Sequence, residues 1–140
     1  MSKPSVLFLC TGNSCRSQMA EGLLRNYAGS RFEVASAGTR PVGLNPRAVE
    51  AMSELGIDIA SQTSKHVESL AGREFSYVIT VCDNARESCP TYPPQVKMLH
   101  WSFDDPAGAE GSDAERMAVF RRVRDEIAAE IREFADRRAG

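Results

Sequence analysis

The hydrophobic pattern of this chain switches repeatedly between two periods. Four short segments are continuously apolar or alternate apolar with polar residues, which predicts strands at 5–10, 32–37, 77–81 and 96–100. Apolar residues three and four positions apart predict helices at 17–28 and 46–55, a short helix at 67–70 and a long helix after Ser112. Strands that alternate with helices favour right-handed crossovers, so we expect a three-layer α/β fold with a four-stranded parallel sheet flanked by helices.

Capping residues mark the starts of two of these helices. Asn45 followed by Pro46 is typical of a helix N-terminus, because the Asn side chain accepts a backbone N–H and proline has none to satisfy. Ser112 and Glu115 have the spacing of a capping box. The long helix that follows is predicted to bury one face, which carries Phe120, Val123, Ile127, Ile131 and Phe134. Its charged positions are expected on the solvated face, namely Arg121, Arg122 and Arg124.

Composition narrows the class of protein. The chain has 140 residues, 42% of them hydrophobic, and a net charge of −2, which is ordinary for a single domain at 1–140. The apolar run after Met1 is too short for a signal peptide, and no stretch approaches the roughly 20 apolar residues of a membrane span. We therefore expect a cytoplasmic monomer with no nucleic-acid or membrane partner. In such a protein, cysteines indicate redox or catalytic work before structural disulfides, and this chain has Cys10, Cys15, Cys82 and Cys89.

The segment that joins the first strand to the first helix concentrates the candidate chemistry. Cys10 ends the strand, and Arg16 and Ser17 open the helix. A tight loop in this position directs successive backbone N–H groups at one point, and the helix N-terminus adds positive charge. Such surroundings favour a Cys10 thiolate, while the Arg16 guanidinium can grip two oxygens of one anion. The predicted oxyanion-binding loop consists of Thr11, Gly12, Asn13, Ser14, Cys15, Arg16 and Ser17.

The residues of this loop resemble the loop motif of a known protein family. The run Cys10-Thr-Gly-Asn-Ser-Cys-Arg-Ser-Gln-Met-Ala-Glu21 resembles the phosphate-binding loop of low-molecular-weight protein tyrosine phosphatases. It is still more similar to that of the thioredoxin-coupled arsenate reductases built on the same fold, and the similarity extends from about Pro4 to the C-terminus. The resemblance implies a low-molecular-weight phosphatase-like fold and reduction of arsenate, with phosphate or sulfate as mimics. It also implies thioredoxin as an external reductant and no bound cofactor.

The resemblance implies an order of thiol steps as well. Cys10 attacks the arsenic of arsenate, Asp105 protonates the departing oxygen, and Cys82 attacks the Cys10 sulfur and releases arsenite. The Cys10–Cys82 disulfide becomes Cys82–Cys89 when Cys89 attacks, and thioredoxin reduces this last disulfide by thiol–disulfide exchange. Cys10 and Cys82 both end predicted strands of a parallel sheet, so we expect both sulfurs on the rim where such sheets bind ligands.

The spacing of Cys82 and Cys89 adds a physical constraint. If the segment between them is helical, their Cα atoms lie about 10 Å apart. A disulfide requires Cα atoms closer than about 7 Å. Pro90 limits the length of any helix here. We therefore predict a short, marginal helix that rearranges when the two thiols join.

Asp105 and Pro106 lie in the loop after the fourth predicted strand, where the resemblance places an Asp-Pro pair with a general acid. Tyrosine phosphatases of this fold carry aromatic residues just after that pair. Here the run is Pro106-Ala-Gly-Ala-Glu110. The missing aromatic wall argues against a phosphotyrosine substrate.

One position departs from the pattern of the reductases. They often bind potassium beside the loop, with residues that match Asn13, Glu21, Ser36, Thr63 and a carboxylate at position 65. Here Lys65 places an ammonium in that position. We therefore expect no metal site, and we expect the Lys65 charge to face Glu21.

Two other functions stay open at this point. A low-molecular-weight phosphatase would need only Cys10, Arg16 and Asp105. A redox-sensing oxyanion-binding module would bind arsenate without multiple turnover. The reductase differs from both because it needs Cys10, Cys82 and Cys89 together.

Overall fold

The structure of the protein is a computed structural model that describes residues 3–82 and 91–138. The described part contains four strands in one parallel sheet with the order β2-β1-β3-β4. Their bounds are Ser5–Cys10 for β1, Glu33–Gly38 for β2, Tyr77–Thr80 for β3 and Lys97–His100 for β4. The four predicted strands are therefore present, each within one residue of its predicted ends, and the predicted parallel sheet is confirmed.

Three α-helices lie in the described residues: Arg16–Ala28 (α1), Pro46–Ser53 (α2) and Asp113–Arg137 (α3). The predicted short helix is a 3₁₀ turn at Val67–Leu70, and a second 3₁₀ turn covers Pro106–Gly108. Both predicted caps are formed. Asn45 Oδ1 accepts from the Arg47 N–H at 2.8 Å, and Ser112 and Glu115 exchange reciprocal hydrogen bonds. None of these helices is both long and apolar enough to cross a membrane.

The core is built around β1, because this strand is paired on both edges and covered on both faces. Each residue from Val6 to Leu9 is fully buried. An aromatic cluster packs on one face of the sheet, with Phe134 of α3 in contact with the rings of Phe32, Tyr77 and Trp101. The five apolar residues predicted for the buried face of α3 are all buried. Burial of this stripe fixes the long helix against the sheet.

Arg124 corrects one expectation about α3. The sequence pattern predicts it on the solvated face, yet only 7% of it is exposed. Its Nη1 donates to the Ala51 carbonyl at 2.8 Å and to Glu54 Oε1 at 2.9 Å. The reason is helical spacing, since position 124 follows Phe120 by four residues and therefore lies on the buried side of α3, where its side chain reaches α2.

Sheet register determines where the candidate chemistry lies. Leu9 of β1 is paired with Thr80 of β3, and the Val81 N–H donates to the Leu9 carbonyl at 2.9 Å. The two strands therefore end side by side. Cys10 and Cys82 leave the sheet at the same edge, where ligands bind in parallel α/β sheets.

Candidate active site

Two thiols from different strands meet at the carboxyl edge of the sheet. Cys10 is 3% exposed and Cys82 is 5% exposed. Cys10 ends β1 and Cys82 follows β3, the strand paired with it, and Thr11 Oγ1 lies 3.2 Å from Cys82 Sγ. The structure thus brings together the first two cysteines of the predicted relay. Cys89 lies outside the described residues, and so does the predicted helix between Cys82 and Cys89.

The pKa of the Cys10 thiol is raised, in the direction opposite to the expectation from the sequence. The neighbouring Cys82 thiol is the largest cause and burial is the second. The Arg16 charge and the Thr11 backbone N–H both lower the pKa, as the loop motif predicted, but they do not outweigh the other two.

The loop after Cys10 presents a series of unused hydrogen-bond donors. Within the described residues, none of the backbone N–H groups from Gly12 to Ser17 donates to a protein acceptor. Buried backbone N–H groups in proteins are nearly always paired. A run of free donors at the start of α1 is therefore suited to an anion, which would accept several of them at once.

Asn13 holds this loop in shape. Its backbone is left-handed, with φ of 46°, a conformation that asparagine tolerates better than most residues. Its side chain is fully buried, and Nδ2 donates to Ser17 Oγ at 2.9 Å and to Ser36 Oγ at 3.0 Å. Its Oδ1 accepts from the Lys65 N–H at 2.9 Å. Asn13 therefore ties the loop to α1, to β2 and to the segment before the first 3₁₀ turn.

Arg16 links the loop to Asp105. Its Nη1 donates to the Phe103 carbonyl at 3.1 Å, and its Nη2 lies 3.7 Å from Asp105 Oδ2. Its Nε is buried and has no partner among the described residues. Asp105 is half-exposed and also accepts the Ala107 N–H at 3.0 Å, at the start of the second 3₁₀ turn. The predicted acid and the predicted anion-binding arginine are thus neighbours, and the buried Arg16 Nε has no acceptor in the part of the chain that the structure describes.

The remaining cysteine of the loop is buried at the start of α1. Cys15 is 3% exposed, and burial raises the pKa of its thiol to about 11. Its thiol donates to Ser14 Oγ at 3.7 Å, within the same loop. This agrees with a passive place in the loop.

Sequence reasoning missed part of the support beneath the loop. Gln18 Nε2 donates to the Asn13 carbonyl and to the Thr63 carbonyl, both at 3.0 Å. Gln62 Nε2 donates to Gln18 Oε1 at 2.8 Å. The available signal was the run Ser17, Gln18 and Glu21, which is polar although it lies on the buried side of α1. Polar residues in a buried position need partners, and here the partners are loop carbonyls.

The positions expected to match a potassium site form one polar cluster. Ser36 Oγ donates to Glu21 Oε1 at 2.6 Å, and Arg25 Nη2 donates to Glu21 Oε2 at 2.6 Å. Lys65 Nζ donates to the Thr63 carbonyl at 3.1 Å. The pKa of Lys65 is lowered, chiefly by burial, while the Glu21 charge acts in the opposite direction. Two protein cations therefore neighbour the Glu21 carboxylate.

Comparisons with known proteins agree with this geometry. Residues 5–139 match the family described as low molecular weight phosphotyrosine protein phosphatase. An arsenate reductase from Shouchella clausii is 55% identical over 138 residues, which are 97% of this chain and 98% of that protein. A solved arsenate reductase in the phosphate binding state has a TM-score of 0.78 at 30% identity, over 96% of this chain and 98% of that one. A thioredoxin-dependent arsenate reductase from Corynebacterium glutamicum has a TM-score of 0.75 at 34% identity, over 96% of this chain and 61% of that one.

Proposed function

The chain belongs to the low-molecular-weight phosphotyrosine protein phosphatase family, and from this membership and the site geometry we propose that it is an arsenate reductase. It converts arsenate to arsenite with its own thiols, and thioredoxin regenerates those thiols. The observation that carries the proposal is the placement of Cys10 and Cys82 at the ends of two paired strands, beside the donor-lined loop. Phosphate-ester hydrolysis on this loop needs one thiol, whereas reduction needs a second sulfur that can reach the first.

Arsenate binds where the donors are unused. A tetrahedral oxyanion accepts backbone N–H groups of the segment from Gly12 to Ser17 and the free Nε of Arg16. Donors fixed in advance stabilise the charge on the oxygens at no reorganisation cost during the reaction. The Asn13 hydrogen bonds keep the loop in this shape before the anion arrives.

The first covalent step joins sulfur to arsenic. The Cys10 thiolate attacks arsenic(V), and one oxygen leaves as water after it takes a proton from Asp105. Asp105 Oδ2 is close enough to Arg16 to act on an anion that Arg16 holds. The product is a Cys10–arsenate thioester in which arsenic is still in the pentavalent state.

The second step transfers the electrons. The Cys82 thiolate attacks the Cys10 sulfur, a Cys10–Cys82 disulfide forms, and the sulfur–arsenic electron pair leaves with arsenic, which departs as arsenite. Arsenic gains two electrons and the two thiols lose them. The placement of both cysteines at the same edge of the sheet supports this step, because the attacking sulfur starts near its target.

The last steps restore the enzyme. Cys89 attacks Cys82, Cys10 leaves as a thiolate, and the Cys82–Cys89 disulfide is reduced by thioredoxin through thiol–disulfide exchange. Cys89 is assigned this role from the sequence pattern and the family. No resident cofactor takes part, since the electrons come from the dithiol of the partner protein.

The proposal is tested in a coupled assay of arsenate, thioredoxin, thioredoxin reductase and NADPH. We expect arsenate-dependent NADPH oxidation by the wild-type chain. Cys89→Ser should release about one arsenite per enzyme and then stop, and Cys82→Ser should release none, because each change removes one thiol of the relay. Both variants should still hydrolyse para-nitrophenyl phosphate, which serves as the control for folding and for an intact loop.

Other outcomes would favour the alternatives. Sustained turnover by Cys89→Ser would exclude the Cys82–Cys89 disulfide as the substrate of thioredoxin. Hydrolysis of the phosphate ester by the wild type without any arsenate-dependent NADPH oxidation would identify a phosphatase. Arsenate binding without either reaction would identify an oxyanion sensor.

A further inference from the structure

A large cavity lies at the edge of the sheet opposite to Cys10. It encloses about 520 Å³ and is lined by the first residues of three strands, Ser5 of β1, Tyr77 of β3 and Lys97 of β4. Because the strands are parallel, these residues share the amino edge. Cys10 follows Ser5 by five residues of strand, so about 16 Å separates the cavity from the thiols. The proposed relay uses none of its residues. We refer to it below as the amino-edge cavity.

The charge of the amino-edge cavity is positive although the chain carries a net charge of −2. Among the described residues, three cations line it, Lys3, Arg73 and Lys97, against the single carboxylate of Glu74. Within the described residues, Arg73 and Lys97 form no ion pair, and the Lys3 ammonium donates to the Gly29 carbonyl at 3.0 Å. Elsewhere in the described chain, several arginines are paired with carboxylates, among them Arg25, Arg47, Arg121 and Arg124.

Aromatic side chains form the walls that carry these cations. Phe75 is buried, and the Arg73 guanidinium lies 5.1 Å from the centre of its ring. The Lys97 ammonium lies 6.0 Å from the centre of the Tyr77 ring. Contacts of this kind hold a cation against an apolar surface while its N–H donors still point to solvent. The cavity therefore offers both apolar walls and charged donors.

We propose that the amino-edge cavity binds an organic anion that joins an aromatic ring to a phosphate or carboxylate, at about the size of a mononucleotide. Pockets for such molecules enclose about 300–1,000 Å³ and are apolar with a few convergent polar groups. The ring lies against the aromatic walls, and the anionic group pairs with Arg73 and Lys97. An inorganic oxyanion would leave most of the volume unfilled and would gain nothing from the rings.

The test is a titration followed by ¹H–¹⁵N NMR, which separates this cavity from the Cys10 loop within one spectrum. Adenosine 5′-monophosphate is the full probe, adenosine supplies the ring alone and inorganic phosphate supplies the anion alone. We expect the monophosphate to shift the amide signals of Phe75, Tyr77 and Lys97 to saturation. Adenosine and phosphate should each bind there at least tenfold more weakly. A benzoate titration then distinguishes a carboxylate from a phosphate as the anionic group.

Charge variants complete the test. Arg73→Glu and Lys97→Glu should each weaken binding of the monophosphate about tenfold. If charge reversal disturbs folding, Arg73→Gln and Lys97→Gln are the milder replacements. Arg132→Glu, an exposed α3 residue that does not line this cavity, should change nothing. Shifts confined to the amides from Thr11 to Ser17 would overturn the proposal. Equal binding of adenosine and its monophosphate would overturn the assignment of an anion.

Discussion

At the scale of single residues, the hydrogen bonds of Arg16 determine which of its donors can bind an anion in the loop. Two of its nitrogens are already engaged, one with the Phe103 carbonyl and one near the Asp105 carboxylate. Its Nε is buried without a partner in the described part of the chain. A buried donor without an acceptor costs free energy until a ligand supplies one. Arg16 therefore connects the binding of an oxyanion to the position of Asp105.

Replacement of Asp105 tests its role as the acid. Asp105→Asn keeps the size of the side chain and removes its exchangeable proton, so kcat for arsenate reduction should fall by about 10²- to 10⁴-fold with a much smaller change in KM. Steady-state kinetics in the thioredoxin-coupled assay measures both constants. Asp104→Asn is the matched control, because Asp104 pairs with Arg122 on α3 and not with Arg16. An equal loss in both variants would mean that the loop, and not the Asp105 proton, is responsible.

Lys65 supports a prediction about potassium. Its ammonium and Arg25 both neighbour the Glu21 carboxylate, so we expect arsenate reduction to run at the same rate in potassium and sodium chloride. Lys65→Asp places a carboxylate beside Glu21 and should make the melting temperature rise with potassium. A cation at ten times its Kd stabilises the folded state by about 1.4 kcal/mol. Strong stimulation of the wild type by potassium would contradict this interpretation.

At the scale of secondary-structure elements, α2 and α3 are joined by one carboxylate. Glu54, just after α2, accepts from Arg121 Nε at 2.9 Å and from Arg124 Nη1 at 2.9 Å. Arg121 is the main cause that lowers the pKa of Glu54 to about 2, and Arg124 contributes further. The carboxylate therefore fixes the end of the short helix α2 against the long helix α3.

The pH dependence of this contact follows from the lowered pKa. A carboxyl whose pKa falls on folding adds stability above its unfolded pKa, and that stability is lost as the pH falls toward the folded pKa. Glu54→Gln should therefore lower the melting temperature by a few degrees at pH 7. The difference from the wild type should shrink between pH 4.5 and about 2. Thermal unfolding followed by circular dichroism measures both effects.

A second carboxylate on α3 provides the control for Glu54. Glu133→Gln removes the exposed ion pair with Arg137, which joins two residues of the same helix. Exposed pairs of this kind contribute little, so the variant should melt close to the wild type. A Glu54→Gln variant that melts like Glu133→Gln at pH 7 would show that the α2–α3 contact does not depend on this carboxylate.

At the scale of the whole molecule, the site depends on the close approach of β2 to the loop. A Cβ on Gly38, the last residue of β2, would lie 2.5 Å from the Thr11 carbonyl oxygen. Thr39 and Arg40 continue this contact, since their N–H groups donate to the carbonyls of Cys10 and Thr11. The position of the loop is thus set from outside the strand and helix that it joins.

Gly38→Ala should displace the loop and so weaken anion binding. We expect a loss of stability of about 1–3 kcal/mol, as for other overpacked interiors, and a rise in KM for arsenate. Urea unfolding and the coupled assay measure the two effects. Gly108→Ala is the control for stability, because no atom lies within 4 Å of a Cβ at that position. An unchanged KM in Gly38→Ala would show that the loop tolerates the displacement.

The sequence by itself determined the local features of this protein. Period and length located the strands, Asn45 and Ser112 marked helix starts, and the run from Cys10 to Glu21 identified the family. These features depend on residues that are neighbours along the chain, so propensity, capping and loop chemistry are sufficient to predict them. The alternation of strands and helices extended the prediction to a parallel sheet, because right-handed crossover connections leave few other ways to arrange the strands.

Only the tertiary structure decided the interactions between distant parts of the chain. The shared position of Cys10 and Cys82 at one sheet edge, the direction of the Cys10 pKa and the burial of Arg124 each depend on residues about 70 positions apart. The same is true of the amino-edge cavity, which collects cations from the starts of β1 and β4 and from the segment before β3. Charge interactions and burial depend on which residues lie close together in space. A sequence pattern predicts such proximity only within a single helix or strand.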